Sequence, residues 1–347
     1  MEETKMKKLL SLVLALIMIM SMAACSSETE TPETSEPEDP ASSEASESVP
    51  EEPEIPAFTG SINVGMLKGP TGMGAAWLME QDETGSTVYD YEFTVAGAAD
   101  ELTGRLIQGS LDIAALPTNA ISSLYNKTEG KIVCLGVNTF GVLYILENGE
   151  SISSIEDLDG KTILASGKGS TAESVLMHLI TESGIGADIH WATEHTEAAT
   201  LAMTGEYDIV MLPEPFVTNV MSKSENFRVA LNLSEEWEKL TGEVMTMGGI
   251  AVRREFLKTN PEVVAQFISY YGMSIEFTNS DPASAGVLIE KYGIAAAAVA
   301  ENAIPRCNIV WLSGDEYKTV LGNFLSVLFE SNPASIGGAM PGEDFYG

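Results

Sequence analysis

Apolar positions fall into three regimes along the chain. Residues 9–22 are almost continuously apolar, a run of 14, short of the roughly 20 residues a membrane-spanning helix needs. Lys5, Lys7 and Lys8 precede it, and a basic start before a short apolar stretch predicts a secretory signal over residues 1–24. Residues 26–57 are Ser, Thr, Glu, Asp, Pro and Ala apart from Val49 and Ile55, with eleven acidic side chains and no basic one. Such a segment buries too little apolar area to offset the entropy of ordering, and its charges repel one another. It therefore reads, with Cys25, as an extended tether over residues 25–57. From residue 58 onward, short alternating or continuous apolar runs alternate with helical periodicity.

The body carries a diverged internal echo. Residues 62–67 predict a strand, Gly69-Pro70-Thr71-Gly72-Met73-Gly74 a loop, and Ala75 to Met79 the start of a helix. The pattern returns as a strand at residues 162–165, a loop at 167–171 and a helix at 172–180. Val175, Leu176, Leu179 and Ile180 form that helix's apolar stripe. A second pair aligns without a gap: residues 101–119 against 197–215, with Gly109 over Gly205, Asp112 over Asp208 and Pro117 over Pro213. Each copy reads as helix, Gly stop, strand and Pro-containing loop. Two α/β lobes of similar plan follow, with loops at the C-terminal ends of parallel strands. If the lobes face each other, four loops converge on one cleft.

Charge narrows the partners. The chain has 51 acidic and 18 basic residues, a net charge of −33. Residues 58–347 alone carry 38 acidic and 15 basic side chains, a net of −23. Nucleic acid is excluded as a partner, because phosphate binding rests on Lys and Arg. Three Cys and three His leave little for a zinc cage or a disulfide framework. His190 and His195 are five apart, off the i, i+4 metal spacing, so no metal and no cofactor is expected. H-E-x-x-H, G-x-S-x-G and C-x-x-C are absent, and Gly167-Lys168-Gly169-Ser170-Thr171 lacks the P-loop order. Cys134 and Cys307 read as free thiols, with a disulfide between them left open.

Met22-Ala23-Ala24-Cys25 resembles the lipobox of bacterial lipoproteins, with Met in place of the more usual Leu. That resemblance implies a lipidated Cys25 and a domain tethered at the extracytoplasmic face of the bacterial cell membrane. The body resembles the substrate-binding proteins of ABC importers, in the nitrate/sulfonate/taurine (NitT/TauT) and thiamine-precursor group. The resemblance is carried by residues 109–119 (GSLDIAALPTN), 141–145 (GVLYI), 155–162 (IEDLDGKT), 212–216 (LPEPF) and 303–308 (AIPRCN). It implies an α/β, two-lobed type II periplasmic-binding-protein-like fold with a hinge between two mixed-sheet lobes. The first lobe would comprise residues 58–145 and 246–347, the second 146–245. The implied function is a monomeric, non-enzymatic receptor that closes on a small polar or zwitterionic organic molecule, sulfonate-like or heterocyclic, and delivers it to a permease and ATPase.

The expected site has parts in both lobes. Gly69, Thr71, Gly72, Met73 and Gly74 would cradle a polar ligand group through backbone N–H, with Lys68 as counter-ion; a plain βα turn is the alternative. Thr118, Asn119 and Thr139 offer polar groups at strand ends. In the second lobe Gly167, Ser170 and Thr171 match the glycine loop at residues 69–74 of the first. Glu214 would accept a ligand amine or ring N–H; the alternative is a hinge-region salt bridge or a solvated loop. Met247, followed by Gly248 and Gly249, would let a ligand approach, and Phe216, Phe140 and Trp77 are candidate stacking residues. No catalytic residue is expected. The rivals are an enzyme on the same bilobal fold, chorismate dehydratase-like or pyrimidine-precursor synthase-like, and a ligand-sensing lipoprotein.

Overall fold

The computed structural model describes residues 58–347; the signal stretch, the lipidation candidate Cys25 and the acidic tether lie outside the described residues. The strands form two sheets. β1 (Ser61–Leu67), β2 (Asp90–Ala96), β3 (Ile113–Pro117) and β4 (Ile132–Phe140) open the first. The second holds β5 (Leu143–Asn148), β6 (Thr162–Ala165), β7 (Asp188–Trp191), β8 (Ile209–Pro213) and β9 (Phe227–Asn232). β10 (Thr246–Arg253) and β11 (Ile309–Leu312) return to the first. The orders are β11-β4-β10-β3-β1-β2 and β7-β6-β8-β5-β9. Both sheets are mixed: β1 runs parallel to β2 and β3, and β6 to β7 and β8, whereas β10, β11 and β5 pair antiparallel. Leu143, Tyr144 and Ile145 pair with β8 in the second sheet, so the crossing comes three residues before the expected limit at 145.

The echo seen in the sequence is an echo of structure. The helix Ala99–Gln108 ends at Gly109, whose φ of 80° satisfies the helix C-terminus in the left-handed region, and β3 follows. In the second copy the helix His195–Ala202 stops, Gly205 takes the positive φ of 78° in the turn, and β8 follows. β3 and β8 have five residues each.

Strand residues alternate between two cores, as the period of two requires. In the first sheet Ile113 and Ala115 face one core, with Ile62, Val64, Phe267 and Ile289. Ala114 and Leu116 face the other, with Leu102 and Leu106. That second core runs on into the second sheet through Ile145, Ile163 and Met211, while Leu146, Leu164 and Val210 face a third. Strands buried on both faces are why these segments read as continuous apolar runs. The long helix Gly314–Ser331 lies in the shared core, where Phe324 packs 5.2 Å from Trp237 of the helix Leu233–Thr241. Each fully buried Leu or Phe stabilises the fold by about 1.5–3 kcal/mol. Cys134 and Cys307 are both free and buried. They lie in different cores, which closes the disulfide left open by the sequence.

Candidate functional site

Parallel strands place the loops that follow them on one edge. Lys68 and Gly69 follow β1, Gly97 and Ala98 follow β2, Thr193 comes just after β7, and Pro215 and Phe216 just after β8. These loops meet around a cavity of about 620 Å³, within the range of small-molecule sites. Lys68 and Glu101 stand on the first-sheet side, Thr193, His195, Phe216 and Asn219 on the second-sheet side. Ile294, Ala296 and Val299 form an apolar third wall.

Of the residues expected in the first lobe, only Lys68 and Gly69 line this cavity. The backbone cradle is corrected by the hydrogen bonds. The N–H groups of Gly72 and Met73 donate to the Gly69 carbonyl at 3.1 and 2.9 Å, and that of Gly74 to Pro70 at 3.3 Å. Those donors are consumed inside the turn Pro70–Met73. Gly72 is needed there because a Cβ would stand 2.2 Å from the Leu67 carbonyl oxygen. Met73 is wholly buried. The Thr71 carbonyl accepts from Tyr271 Oη at 3.2 Å. Thr118 Oγ1 donates to the Thr246 carbonyl at 2.7 Å, and Thr139 Oγ1 to Asn138 Oδ1 at 3.3 Å. Met247 is half-buried against the shared core. The room beside Gly248 is taken: a Cβ there would meet Asn138 Oδ1 at 2.5 Å and Thr71 Cγ2 at 2.6 Å. Gly248 and Gly249 lie in β10, paired with β3 and β4, where a side chain would not fit.

In the second lobe Ser170 caps the helix Thr171–Glu182. Its Oγ accepts from the Ala172 N–H at 3.2 Å and donates to the Gly167 carbonyl. Gly167 holds φ 88° in that loop. Thr171 and Asn119 bind each other, since Thr171 Oγ1 donates to Asn119 Oδ1 at 2.7 Å across the two lobes. Glu214 is fully buried and paired with Arg306, so the salt-bridge alternative replaces the expected ligand contact. Trp77 packs on Phe277, 6.2 Å between ring centres, and Phe140 belongs to the shared core; of the three aromatic candidates Phe216 alone reaches the cavity.

Sequence reasoning weighed His195 only as a metal ligand. The structure puts its Nδ1 2.7 Å from Ser166 Oγ and its ring 5.3 Å from that of Phe216. Burial pushes its pKa down, which favours the neutral imidazole at the cavity wall. Arg306 and Asn219 were also missed. The helix start after β7 could have exposed His195, because the matching loop of the first lobe also enters the cavity, at Gly97 and Ala98.

A two-lobed α/β chain with a cavity between mixed sheets has the periplasmic binding protein fold, and solved structures share it. An ABC transporter protein from Parabacteroides distasonis matches at TM-score 0.71 and 22% identity, covering 83% of this chain and 98% of that one. The periplasmic aliphatic sulphonate binding protein SsuA from Escherichia coli matches at 0.66 and 16%, covering 82% and 93%. The alkanesulfonate-binding protein SsuA from Xanthomonas axonopodis pv. citri, bound to MOPS, matches at 0.61 and 16%, covering 82% and 96%. At these identities the likeness establishes the fold alone. No curated protein matches. The chain belongs to the family described as menaquinone biosynthesis (VitK2_biosynth), whose model matches residues 89–299. A family described by a biosynthetic role points to enzymes, and it overturns the expectation that this chain has no enzymatic activity.

Proposed function

We propose that the interlobe cavity captures a small organic molecule with both polar and apolar parts, held between Lys68 and Glu101 on one lobe and His195 and Asn219 on the other. The observation that carries this is the cavity itself: about 620 Å³, walled from both sheets, with a few polar groups among Phe216, Ile294 and Val299. Ligand contact with both walls would favour the closed state. Lys68 and Gly69 are the sequence candidates kept as ligand contacts; Thr118, Asn119, Thr139, Ser170 and Thr171 act as supports of the cleft. The finer reading is a lipid-anchored receptor outside the cell membrane that hands its ligand to an ABC permease. The lipobox-like Cys25, the acidic tether and the fold shared with ABC transporter proteins support it. Family membership favours a second reading, chemical conversion of the captured molecule.

The test is a thermal-shift screen of the full-length chain against sulfonates, taurine, nitrate, thiamine precursors, purines, pyrimidines and aromatic carboxylates, followed by mass spectrometry of each hit after incubation. A ligand at about 100 times its Kd stabilises the native state by about 2.7 kcal/mol. A saturable shift weakened by His195→Ala or Lys68→Ala supports capture in this cavity. A hit recovered unchanged favours delivery, and a hit converted favours the enzymatic reading. A shift untouched by changes at Lys68, His195 and Asn219 would place capture elsewhere and overturn the proposal.

A further inference from the structure

Two cavity walls lead into one buried ion pair. Pro215, Phe216 and Asn219 come just after Glu214 at the end of β8, and the segment from Ile294 to Val299 comes shortly before Arg306. Arg306 Nε donates to Glu214 Oε1 at 2.6 Å, and Arg306 Nη2 donates to Thr218 Oγ1 at 2.6 Å. Thr218 completes the shell: its N–H donates to Glu214 Oε2 and its Oγ1 to Glu214 Oε1, each at 3.0 Å. Tyr144 Oη, from β5 of the second sheet, donates to the Arg306 carbonyl at 3.0 Å. The Glu214 side chain is 0% exposed and that of Arg306 36%. One partner is therefore sealed in the second lobe, while the other reaches it from the short turn Ile304–Arg306 that leads into β11 of the first sheet.

We propose that Glu214 and Arg306 are a latch that holds the two walls of the cavity together and sets the population of the closed state. They are positioning residues, acting on a ligand through Phe216, Asn219 and the segment from Ile294 to Val299. The physical ground is an asymmetry. A buried carboxylate with its guanidinium partner is satisfied, but the same carboxylate left alone must regain water, and parting the walls is the direct way to admit it. Removing both charges lifts that demand. The effect on ligand affinity rests on the function proposed above, because apparent affinity scales with the closed fraction. The latch itself can be read without any ligand.

The experiment is hydrogen exchange with mass spectrometry on the ligand-free full-length chain, which reports local opening segment by segment. Arg306→Met is expected to speed exchange at least about tenfold in the helix Phe216–Lys223, on the opposite wall, and in the helix Ala297–Ala303. Peptides of β1 and β2 stay at the wild-type rate. Adding Glu214→Gln to Arg306→Met is expected to slow exchange in the helix Phe216–Lys223 again, because no unpaired charge remains to hydrate; simple loss of packing would speed it further. Arg306→Lys keeps the charge without the second arm to Thr218 and is expected to fall between wild type and Arg306→Met. Should Arg306→Met fail to fold, Arg306→Lys carries the test. Wild-type exchange across the cavity in either single variant that folds, or faster exchange in the double variant than in Arg306→Met, overturns the latch. None of these readings depends on a ligand being found, so the latch and the proposed function fail separately.

Discussion

The hydrogen bond from Thr171 to Asn119 offers the sharpest test of how the lobes are joined. Thr171 is 1% exposed and Asn119 6%. Thr171→Val exchanges a hydroxyl for a methyl on an equally β-branched side chain, so helix propensity and volume change little. Asn119 Oδ1 accepts only from Thr171 among the described residues, while its Nδ2 is engaged with the Ser335 carbonyl at 3.2 Å. The substitution thus leaves a buried acceptor unpaired, at a cost of about 1–3 kcal/mol. At roughly 2 °C per kcal/mol for a body of this size, the melting temperature should fall by about 2–6 °C. Asn119→Ala removes the acceptor and the Ser335 contact together, so the double variant isolates the shared bond. A coupling of about 1–2 kcal/mol is expected from chemical denaturation of the four proteins. Additivity within about 0.3 kcal/mol would refute the reasoning, because it would mean that the 2.7 Å contact carries no energy across the cleft.

Other predictions concern burial and titration. Burial lowers the pKa of His195 in the folded state, so the unfolded chain binds more protons near pH 6. Stability should be fully present above the unfolded value of about 6.5 and decline as pH falls below it, by at most about 1.4 kcal/mol per pH unit from this residue. His195→Gln should flatten that part of the melting profile between pH 7 and 5; an unchanged slope would contradict it. Trp237 is fully buried, 5.0 Å from the His178 ring and 5.2 Å from Phe324. Trp237→Ala should cost about 3–5 kcal/mol by urea denaturation, since it empties the core that both sheets share. Burial pushes the Cys134 thiol up to about 12 and that of Cys307 well above its ordinary value. Both should resist a thiol reagent at pH 8 in the native protein and react once it is unfolded, as peptide mapping would show.

The legible parts of the fold were those governed by local rules. Ile113 to Pro117 and Ile209 to Pro213 could be read as matching strands because strands buried on both faces need unbroken apolar runs. Gly109 and Gly205 marked helix and turn ends because both take positive φ. The site was less legible. Lys68 and Gly69, in the loop after β1, are the two expected first-lobe residues that line the cavity. The rest of the glycine loop was misjudged because its N–H groups had a nearer use, bonding to Gly69 and Pro70 within the turn. His195 was overlooked because ligand-type spacing was sought, whereas its place depends on the helix start that carries it to the cavity.

By itself the sequence determined the alternation of strands and helices, the repeated lobe plan, and the gathering of polar loop residues at the strands' C-terminal ends. Each follows from periodicity, backbone conformation or apolar burial, which act over a few residues. Only the tertiary structure decided which polar groups would meet. Asn119 and Thr171 lie 52 positions apart, and Glu214 and Arg306 lie 92 apart. A sequence names donors and acceptors but leaves their pairing open, because a hydrogen bond acts only within about 3 Å. That closeness is set here by how two separately built sheets face each other across the hinge.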